Sequence, residues 1–263
     1  MIEDVWMFPV LGIAAGLLAG LLGVGGGLVL VVALAWLLPL HGVPQDAAMH
    51  AALATSLASI VLTGLASAHA HHRRGSVLWP TVRWMVPGLL LGGWLGSGAA
   101  MALDGGVLRR CVAVYCFLAA LQLAFGRMRT GGGRDDVPEG AAMSVAGVGI
   151  GAVSALVGIG GGSMTVPLLV WRGVAAVHAV GTSSACGVAI GLASGLGYAL
   201  NAPPGVRPTH AVGYVYLPAA IGVAITSIFA APLGTRLAHA ISGSALRRVF
   251  AVFLVVVGVG LLA

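Results

Sequence analysis

Lysine is absent from this sequence, and charged residues of every kind make up only 8% of its 263 residues. Apolar residues account for 59%, so too few polar side chains remain to cover a water-soluble domain. The positive charge rests on 13 arginines at the ends of long uncharged runs, where arginine orients membrane helices. The composition therefore predicts a lipid bilayer as the surroundings, and nucleic acid is not an expected partner.

Acidic residues are also few. The chain has seven Asp and Glu in total, and none of them lies inside an apolar run. Asp46 and Asp104 stand at the boundaries of such runs, and Asp46 is predicted to be the N-cap of the helix that follows it. Without an intramembrane carboxylate, we expect neither a carboxylate proton relay nor a sodium site.

The elements of a metal site or an enzyme are also missing. The three cysteines, Cys111, Cys116 and Cys186, lie within apolar segments at spacings that suit neither a disulfide framework nor a zinc site. No glycine motif ends in the GK[ST] of a phosphate loop, and no serine occupies a GxSxG setting. We therefore expect no cofactor, no metal and no catalytic residue.

Long apolar runs dominate what is present. A spanning helix needs roughly 20 apolar residues, and the uncharged runs of about that length predict an all-α polytopic membrane protein. These runs are residues 10–40, 47–68, 84–103, 111–125, 175–200, 212–235 and 249–263. The N-terminal stretch MIEDVWMFPV lacks the basic start of a signal peptide, so we expect the first apolar element to be retained.

Two glycine motifs interrupt this pattern. GVGGG (Gly23–Gly27) and GIGGG (Gly158–Gly162) each place four glycines in five residues of a long apolar stretch, which breaks a helix. In lipid, the freed backbone groups are tolerated only inside the protein or beside a cavity. A helix that begins after the glycines directs amide N–H groups and a positive dipole end at that space, which suits an anion. The alternative is close helix packing, of the kind that GLLAGLLG and GLLLGGWLG indicate.

The chain consists of two similar halves. Gly23 and Gly158 are 135 residues apart, and ATS at residues 54–56 matches GTSS at residues 181–184. GGVLRRCVAVYCFL from Gly105 likewise matches GSALRRVFAVFLVV from Gly243. We predict a first transmembrane repeat at residues 1–126, a cytoplasmic linker at 127–140 and a second repeat at 141–263.

The arginines bear on the relative orientation of the repeats. Each repeat holds one glycine-broken element, at residues 8–39 and 141–172, followed by three spanning helices. If each broken element crosses the membrane once, the arginines divide 7 against 6 between the two sides of the membrane. If each element turns back, or crosses twice as short helices, the arginines divide 10 against 3. Positive charge collects on the cytoplasmic side, so the second division favours inverted repeats with both termini outside.

Taken together, the paired GVGGG and GIGGG motifs, the following Thr-Ser pairs and the repeated LRR helix resemble the sulfite exporter TauE/SafE family of membrane anion permeases. The resemblance covers nearly the whole chain. It implies a multi-pass transporter of the bacterial-type plasma membrane that moves sulfite, sulfoacetate, organosulfonates or other small organic anions. The expected partners are this anion and the bilayer, and the sequence says nothing about oligomeric state.

Inverted repeats with broken helices place their substrate site near the midplane, where the breaks meet. The predicted substrate-binding residues are the motif glycines and nearby hydroxyls. They are Gly23, Gly25, Gly26, Gly27, Thr55, Ser56, Gly158, Gly160, Gly161, Gly162, Ser163, Thr182 and Ser183, with Ser184 beside them. His50 and His178 precede the Thr-Ser pairs and are either proton carriers or solvated helix-end groups.

Export of an anion needs no coupling ion, because the inside-negative potential supplies about 2.3 kcal/mol per charge per 100 mV. The sequence therefore predicts potential-driven export by alternating access. Proton-coupled anion symport or uptake, a carrier of another small solute, and a membrane protein that transports nothing remain as alternatives.

Overall fold

The computed structural model describes residues 6–22, 26–125, 137–202, 210–238 and 243–262. Within these ranges the chain forms ten helices and one short antiparallel hairpin, so the predicted all-α class is confirmed. The helices are α1 (Met7–Leu22), α2 (Gly27–Leu40), α3 (Gln45–Arg73), α4 (Trp79–Met101), α5 (Gly105–Phe125), α6 (Ala141–Val157), α7 (Gly162–Trp171), α8 (Ala176–Leu200), α9 (Leu217–Ala238) and α10 (Gly243–Leu262). The hairpin, β1 (Ala211–Val212) and β2 (Val215–Tyr216), precedes α9.

Four helical segments of the described chain are long and apolar enough to cross a membrane. They are Gln45–Arg73, Gly105–Gln122, Ala176–Leu200 and Leu217–Gly234. The shorter apolar helices include α2, α6 and α7, which have 14, 17 and 10 residues. These three are shorter than the roughly 20 residues that a single crossing needs.

The outer surface is apolar, as expected for contact with lipid. Val145 on α6 and Phe229 on α9 are 72% and 74% exposed. A large exposed apolar surface is unfavourable in water and normal against acyl chains. Trp36 and Trp171, near the ends of α2 and α7, are also exposed, and tryptophan at such positions is typical of the membrane interface.

The central helices are α3 and α8, which pack against each other in opposite directions. Gly191 of α8 lies against the backbone of Leu57 on α3, whereas the earlier residue Ser184 lies near the later residue Gly64. These glycines let the two backbones approach closely, as small residues do in membrane helix pairs. The two helices therefore form an antiparallel pair in the middle of the molecule.

The helix α4 packs along α6 in the same direction through a glycine face. A Cβ on Gly92 would overlap the carbonyl oxygen of Val148, and one on Gly96 would lie 2.5 Å from that of Ala152. GLLLGGWLG is therefore a packing face, as its spacing indicates.

The helices α1 and α9 form a second parallel pair of the same kind. A Cβ on Gly12 would lie 2.6 Å from the carbonyl oxygen of Val223, and one on Gly16 would lie 2.7 Å from that of Ser227. Each of the helices α1 and α6 thus packs closely against a helix from the other half of the chain.

The predicted N-cap role of Asp46 is wrong by two positions. The helix α3 begins at Gln45 with Pro44 as its N-cap, because the extended backbone of Pro44 (φ −55°, ψ 143°) fits that position. Asp46 lies in the first turn, where its carboxylate accepts a hydrogen bond from the backbone N–H of Ala47 at 3.0 Å. The carboxylate still faces the positive end of the helix dipole.

Candidate functional site

The two glycine motifs meet in the interior of the protein. The helix α2 begins at Gly27, and a Cβ on this residue would lie 2.9 Å from the carbonyl oxygen of Gly158. Ser56 of α3 lies between them, with its hydroxyl 2.8 Å from the carbonyl oxygen of Gly158 and 3.2 Å from that of Gly27. One hydroxyl on a central helix therefore serves carbonyls from both motifs.

The chain turns back at each motif. Gly26 packs so closely on Ala15 that a Cβ would overlap the Ala15 carbonyl, and a Cβ on Gly161 would lie 3.2 Å from the Ile150 side chain. In each pair the residues are 11 positions apart, which in a continuous helix would separate them by about 16 Å. Their contact means that α2 and α7 begin beside the middle of α1 and α6.

Glycine has a conformational role in the second motif. Gly158 and Gly161 have φ of 76° and 72°, in the left-handed region that other residues rarely adopt. The backbone N–H groups of Gly158 and Ile159 both donate to the carbonyl of Ser154, at 2.8 and 3.1 Å. This is the glycine termination that ends many helices, and here it permits the reversal.

A cavity of about 50 Å³ lies beside the meeting point of the motifs. This volume is room for about three or four waters, and hence for a ligand of a few heavy atoms. Helices α1, α2, α3, α8 and α9 and the start of α7 contribute to its walls. The lining residues are Ala15, Ala19, Gly26, Leu30, Ile60, Thr63, Gly64, Ser67, Gly160, Gly162, Ser183, Ser184, Gly187 and Ser227.

Four of the lining hydroxyls form two pairs that join neighbouring helices. Thr63 of α3 and Ser227 of α9 have their hydroxyl oxygens 2.6 Å apart. Ser67 of α3 donates to the hydroxyl of Ser184 on α8 at 3.0 Å. These contacts hold the walls of the cavity together through groups that can also exchange partners with a polar ligand.

The fifth lining hydroxyl, that of Ser183, has no hydrogen-bond partner. The residue is only 1% exposed, and its hydroxyl oxygen is buried. Buried polar side chains nearly always have a partner, so an exception calls for an explanation such as a bound ligand. Ser183 is therefore the lining residue whose donor is free for a ligand.

The cavity lining carries no Asp, Glu, Arg or His among the described residues. Its polarity comes from hydroxyls and from the first turn of α2, since the N-cap residue Gly26 belongs to the walls. The first N–H groups of a helix lack partners within that helix, and they lie at the positive end of its dipole. Such an arrangement attracts an anion without a buried counter-charge.

The family profile described as sulfite exporter TauE/SafE matches residues 8–261. The chain belongs to this family. A probable membrane transporter protein of Haemophilus influenzae is 35% identical over 255 residues, which cover 95% of both chains. A probable membrane transporter protein of Xylella fastidiosa is 30% identical, over 93% of this chain and 89% of its own length. A probable membrane transporter protein of Methanocaldococcus jannaschii is 24% identical, over 96% of this chain and 93% of its own length. No solved structure matches the chain significantly.

This TauE/SafE protein is therefore a membrane transporter, and the cavity has room for a small solute. Several predicted substrate-binding residues lie at or beside it. Those that line it are Gly26, Gly160, Gly162, Ser183 and Ser184. Those at the adjoining backbone contacts are Gly27, Ser56, Gly158 and Gly161. Gly23 and Gly25 lie outside the described residues.

The threonines of the two Thr-Ser pairs lie outside the cavity lining and serve as acceptors for the backbone. The hydroxyl of Thr55 accepts from the N–H of Tyr216, directly before α9, and that of Thr182 accepts from the N–H of Leu78, directly before α4; both distances are 3.0 Å. Each threonine fixes the start of a helix from the opposite half. The hydroxyl of Ser163 also lies away from the cavity, in contact with that of Tyr115.

Neither predicted histidine lines the cavity. His50 donates from Nε2 to the carbonyl of Leu103 at 3.1 Å, and its ring stacks on Tyr214 with the centroids 5.1 Å apart. Burial, together with the negative charge of Asp46, raises the pKa of Tyr214, so this neighbour stays neutral at physiological pH. His178 is half-buried, and its Nδ1 has no partner.

Sequence reasoning missed three of the five lining hydroxyls, namely Thr63, Ser67 and Ser227. A signal for two of them was present, because Ser56, Ile60, Thr63 and Ser67 follow one another at helical spacings of three and four. The residues of α3 that line the cavity therefore lie on the same helix face as Ser56.

Proposed function

We propose that this transporter exports small sulfur-containing or organic anions, such as sulfite, sulfoacetate or other organosulfonates. The observation that carries the proposal is the free hydroxyl of Ser183 in an uncharged cavity beside the first turn of α2. Helix N-termini and hydroxyls are donors that fit an oxyanion. The cavity has room for a ligand of a few heavy atoms, which suits sulfite.

We propose further that residues 1–126 and 141–263 are inverted repeats joined by the linker 127–140. The antiparallel packing of α3 and α8 supports this arrangement, because equivalent helices run in opposite directions when the symmetry axis lies in the membrane plane. The reversal of the chain at Gly26 and Gly161 supports the turn-back topology on which the uneven arginine division depends.

Equivalent contacts in the two halves give further support. Gly147 and Gly151 of α6 follow Gly12 and Gly16 of α1 by 135 residues, and both pairs pack on the other half, against α4 and α9 respectively. The exposed Trp36 and Trp171 are also 135 residues apart. In an inverted arrangement these tryptophans anchor α2 and α7 at opposite interfaces.

The cavity lies toward the arginine-rich side in this topology. Ser67 precedes Arg73 by six residues, or about 9 Å of helix, and Ser183 follows Arg172 in the chain. The arginine-rich side is cytoplasmic by the positive-inside rule. The conformation described here is accordingly one that receives an anion from the cytoplasm. The membrane potential then favours its outward movement by about 2.3 kcal/mol per charge per 100 mV.

Purified wild-type protein in liposomes is expected to carry saturable sulfite flux that responds to an imposed potential. Replacing Ser183 with alanine removes a donor to a charged ligand, worth about 1.5–3 kcal/mol, so the half-saturation concentration should rise about ten- to a hundredfold. Sulfoacetate, sulfate and carboxylates added as competitors establish the selectivity.

The matched control is Ser59→Ala, since Ser59 is buried on α3 and donates only to backbone carbonyls outside the cavity. Its half-saturation concentration should stay within about twofold of wild type. Flux that ignores the potential and follows a proton gradient would instead support proton-coupled transport. An unchanged constant in the Ser183→Ala variant would remove the proposed role of this hydroxyl.

The topology is tested by single cysteines at exposed positions on the two sides. In a background without the native cysteines, Glu139→Cys and Arg172→Cys should be protected from an impermeant thiol reagent in intact cells, and Gly106→Cys should react. Permeabilised cells provide the control, because all three cysteines should then react. Equal labelling of Arg172→Cys and Gly106→Cys in intact cells would contradict the inverted arrangement, because parallel repeats place these two positions on the same side.

A further inference from the structure

The cavity has a counterpart in the other half of the chain. Four of its lining residues belong to α1 and α2, namely Ala15, Ala19, Gly26 and Leu30. The residues that follow them by 135 positions on α6 and α7 and in the turn between these helices are Ile150, Ser154, Gly161 and Thr165. Two apolar positions of the cavity, Ala19 and Leu30, are therefore replaced by hydroxyl residues in the counterpart.

Both of these hydroxyls are buried and unpaired. Ser154 and Thr165 are 0% exposed, and neither hydroxyl oxygen has a hydrogen-bond partner. Serine and threonine in membrane helices usually bond the carbonyl four residues earlier, so two unpaired hydroxyls on successive helices are exceptional. The Ser154 hydroxyl points to the turn, where it lies 3.2 Å from the position that a Cβ on Gly161 would occupy.

An isoleucine fills the space at this turn. The Cδ1 atom of Ile190 lies 2.5 Å from the position of a Cβ on Gly161, and Ile150 closes the other side at 3.2 Å. The residue of α3 that corresponds to Ile190 is Thr63, which precedes it by 127 positions, the same separation as Thr55 and Thr182. Thr63 lines the open cavity, whereas Ile190 occupies the closed one.

We propose that Ser154 and Thr165 form a second binding station for the transported anion at the turn between α6 and α7, with Ser154 on the extracellular side of this turn. The station rests on the proposed export function. It is closed in this conformation by Ile190 against Gly161, and it opens when α8 moves away from the turn between α6 and α7. The anion passes from the Ser183 cavity to these two hydroxyls, which then gain the partner that they lack in the closed state.

Accessibility from outside tests the station directly. In a variant with the three native cysteines replaced by alanine, Ser154→Cys is expected to react with an impermeant maleimide added to the extracellular face. Sulfoacetate at about ten times its half-saturation concentration should slow this reaction about tenfold, because bound ligand protects the site. No reaction from outside, with Gly106→Cys reacting normally, would overturn the proposal.

Transport kinetics give a second test that does not depend on a new cysteine. Thr165→Val conserves volume, and the Ser154→Ala, Thr165→Val double variant should raise the half-saturation concentration for sulfite at the extracellular face about tenfold or more. The constant at the cytoplasmic face should stay within about twofold. Equal changes at both faces, or none, would overturn the station; if the double variant does not fold, Thr165→Val alone serves the same comparison.

Different results would contradict the proposed export function and the second binding station. A wild-type protein that carries neither sulfite nor sulfoacetate would contradict the proposed function. The maleimide reaction of Ser154→Cys from outside does not require either anion, so it still decides whether the station opens.

Discussion

Replacing Ser67 with phenylalanine is expected to abolish anion flux while the protein still folds. Ser67 lines the cavity and contributes one hydrogen bond, to Ser184. A benzyl group in place of the hydroxymethyl group fills most of a cavity that has room for only about three or four waters, so it displaces the ligand from the Ser183 hydroxyl. Sulfite flux in liposomes should fall to the level of protein-free vesicles, with a monodisperse protein peak in detergent.

Two control variants separate steric blockage from other effects. Leu65→Phe adds an aromatic ring to the same helix at a position that is 50% exposed, where the ring enters lipid, and its flux should stay near wild type. Ser67→Ala removes the bond to Ser184 without filling the cavity, so its effect should be a change in half-saturation of no more than about tenfold. Normal flux through Ser67→Phe would place the transport path elsewhere.

The sequence located the cavity through its glycines better than through its hydroxyls. Four glycines in five residues cannot continue a membrane helix, and this local rule alone points to the turns at Gly26 and Gly161. Their contact with each other across the two halves follows from the duplication. Which side chains of a helix face the cavity depends on the helices packed around it. A short stretch of sequence does not identify those neighbouring helices, whereas it does identify a glycine break.

The Thr-Ser pairs illustrate this limit. Adjacent residues on a helix point about 100° apart, so only one member of each pair can face a given space. On α8, Ser183 faces the cavity while Thr182 accepts from the backbone of Leu78. Ser56 of α3 instead bonds the carbonyls of both motifs. Periodicity without the neighbouring helices gives no means of choosing between these roles.

For the helices, the sequence likewise predicted the long apolar runs but not where each helix begins. Hydropathy predicted helical runs close to α3, α8 and α9, because twenty apolar residues have few alternatives in lipid. It did not locate the first turn of α3, where Pro44 precedes the helix and Asp46 lies inside it. Proline and aspartate both favour helix starts. Here the helix starts directly after the proline, which comes first along the chain, and not after the aspartate.

Glycine at position 92 is expected to be indispensable for folding, since Gly92→Leu forces α4 away from α6. A Cβ at this position overlaps the carbonyl oxygen of Val148, an atom of the backbone that cannot rotate aside. Overpacking a core usually costs about 1–3 kcal/mol, and a clash with backbone over a whole helix pair exceeds that range. Purified Gly92→Leu should aggregate, or unfold in detergent at a much lower temperature than wild type.

The control for this substitution lies on the same helix. Gly98 is exposed, and a Cβ there would meet no atom within 4 Å, so Gly98→Leu should keep the wild-type thermal transition. The comparison holds helix propensity constant, because both changes replace a helical glycine with leucine and gain the same intrinsic preference, about 1 kcal/mol. A stable Gly92→Leu protein would mean that α4 and α6 can separate without loss of the fold. The packing of one half on the other would then be adjustable, which a rocking movement between repeats requires.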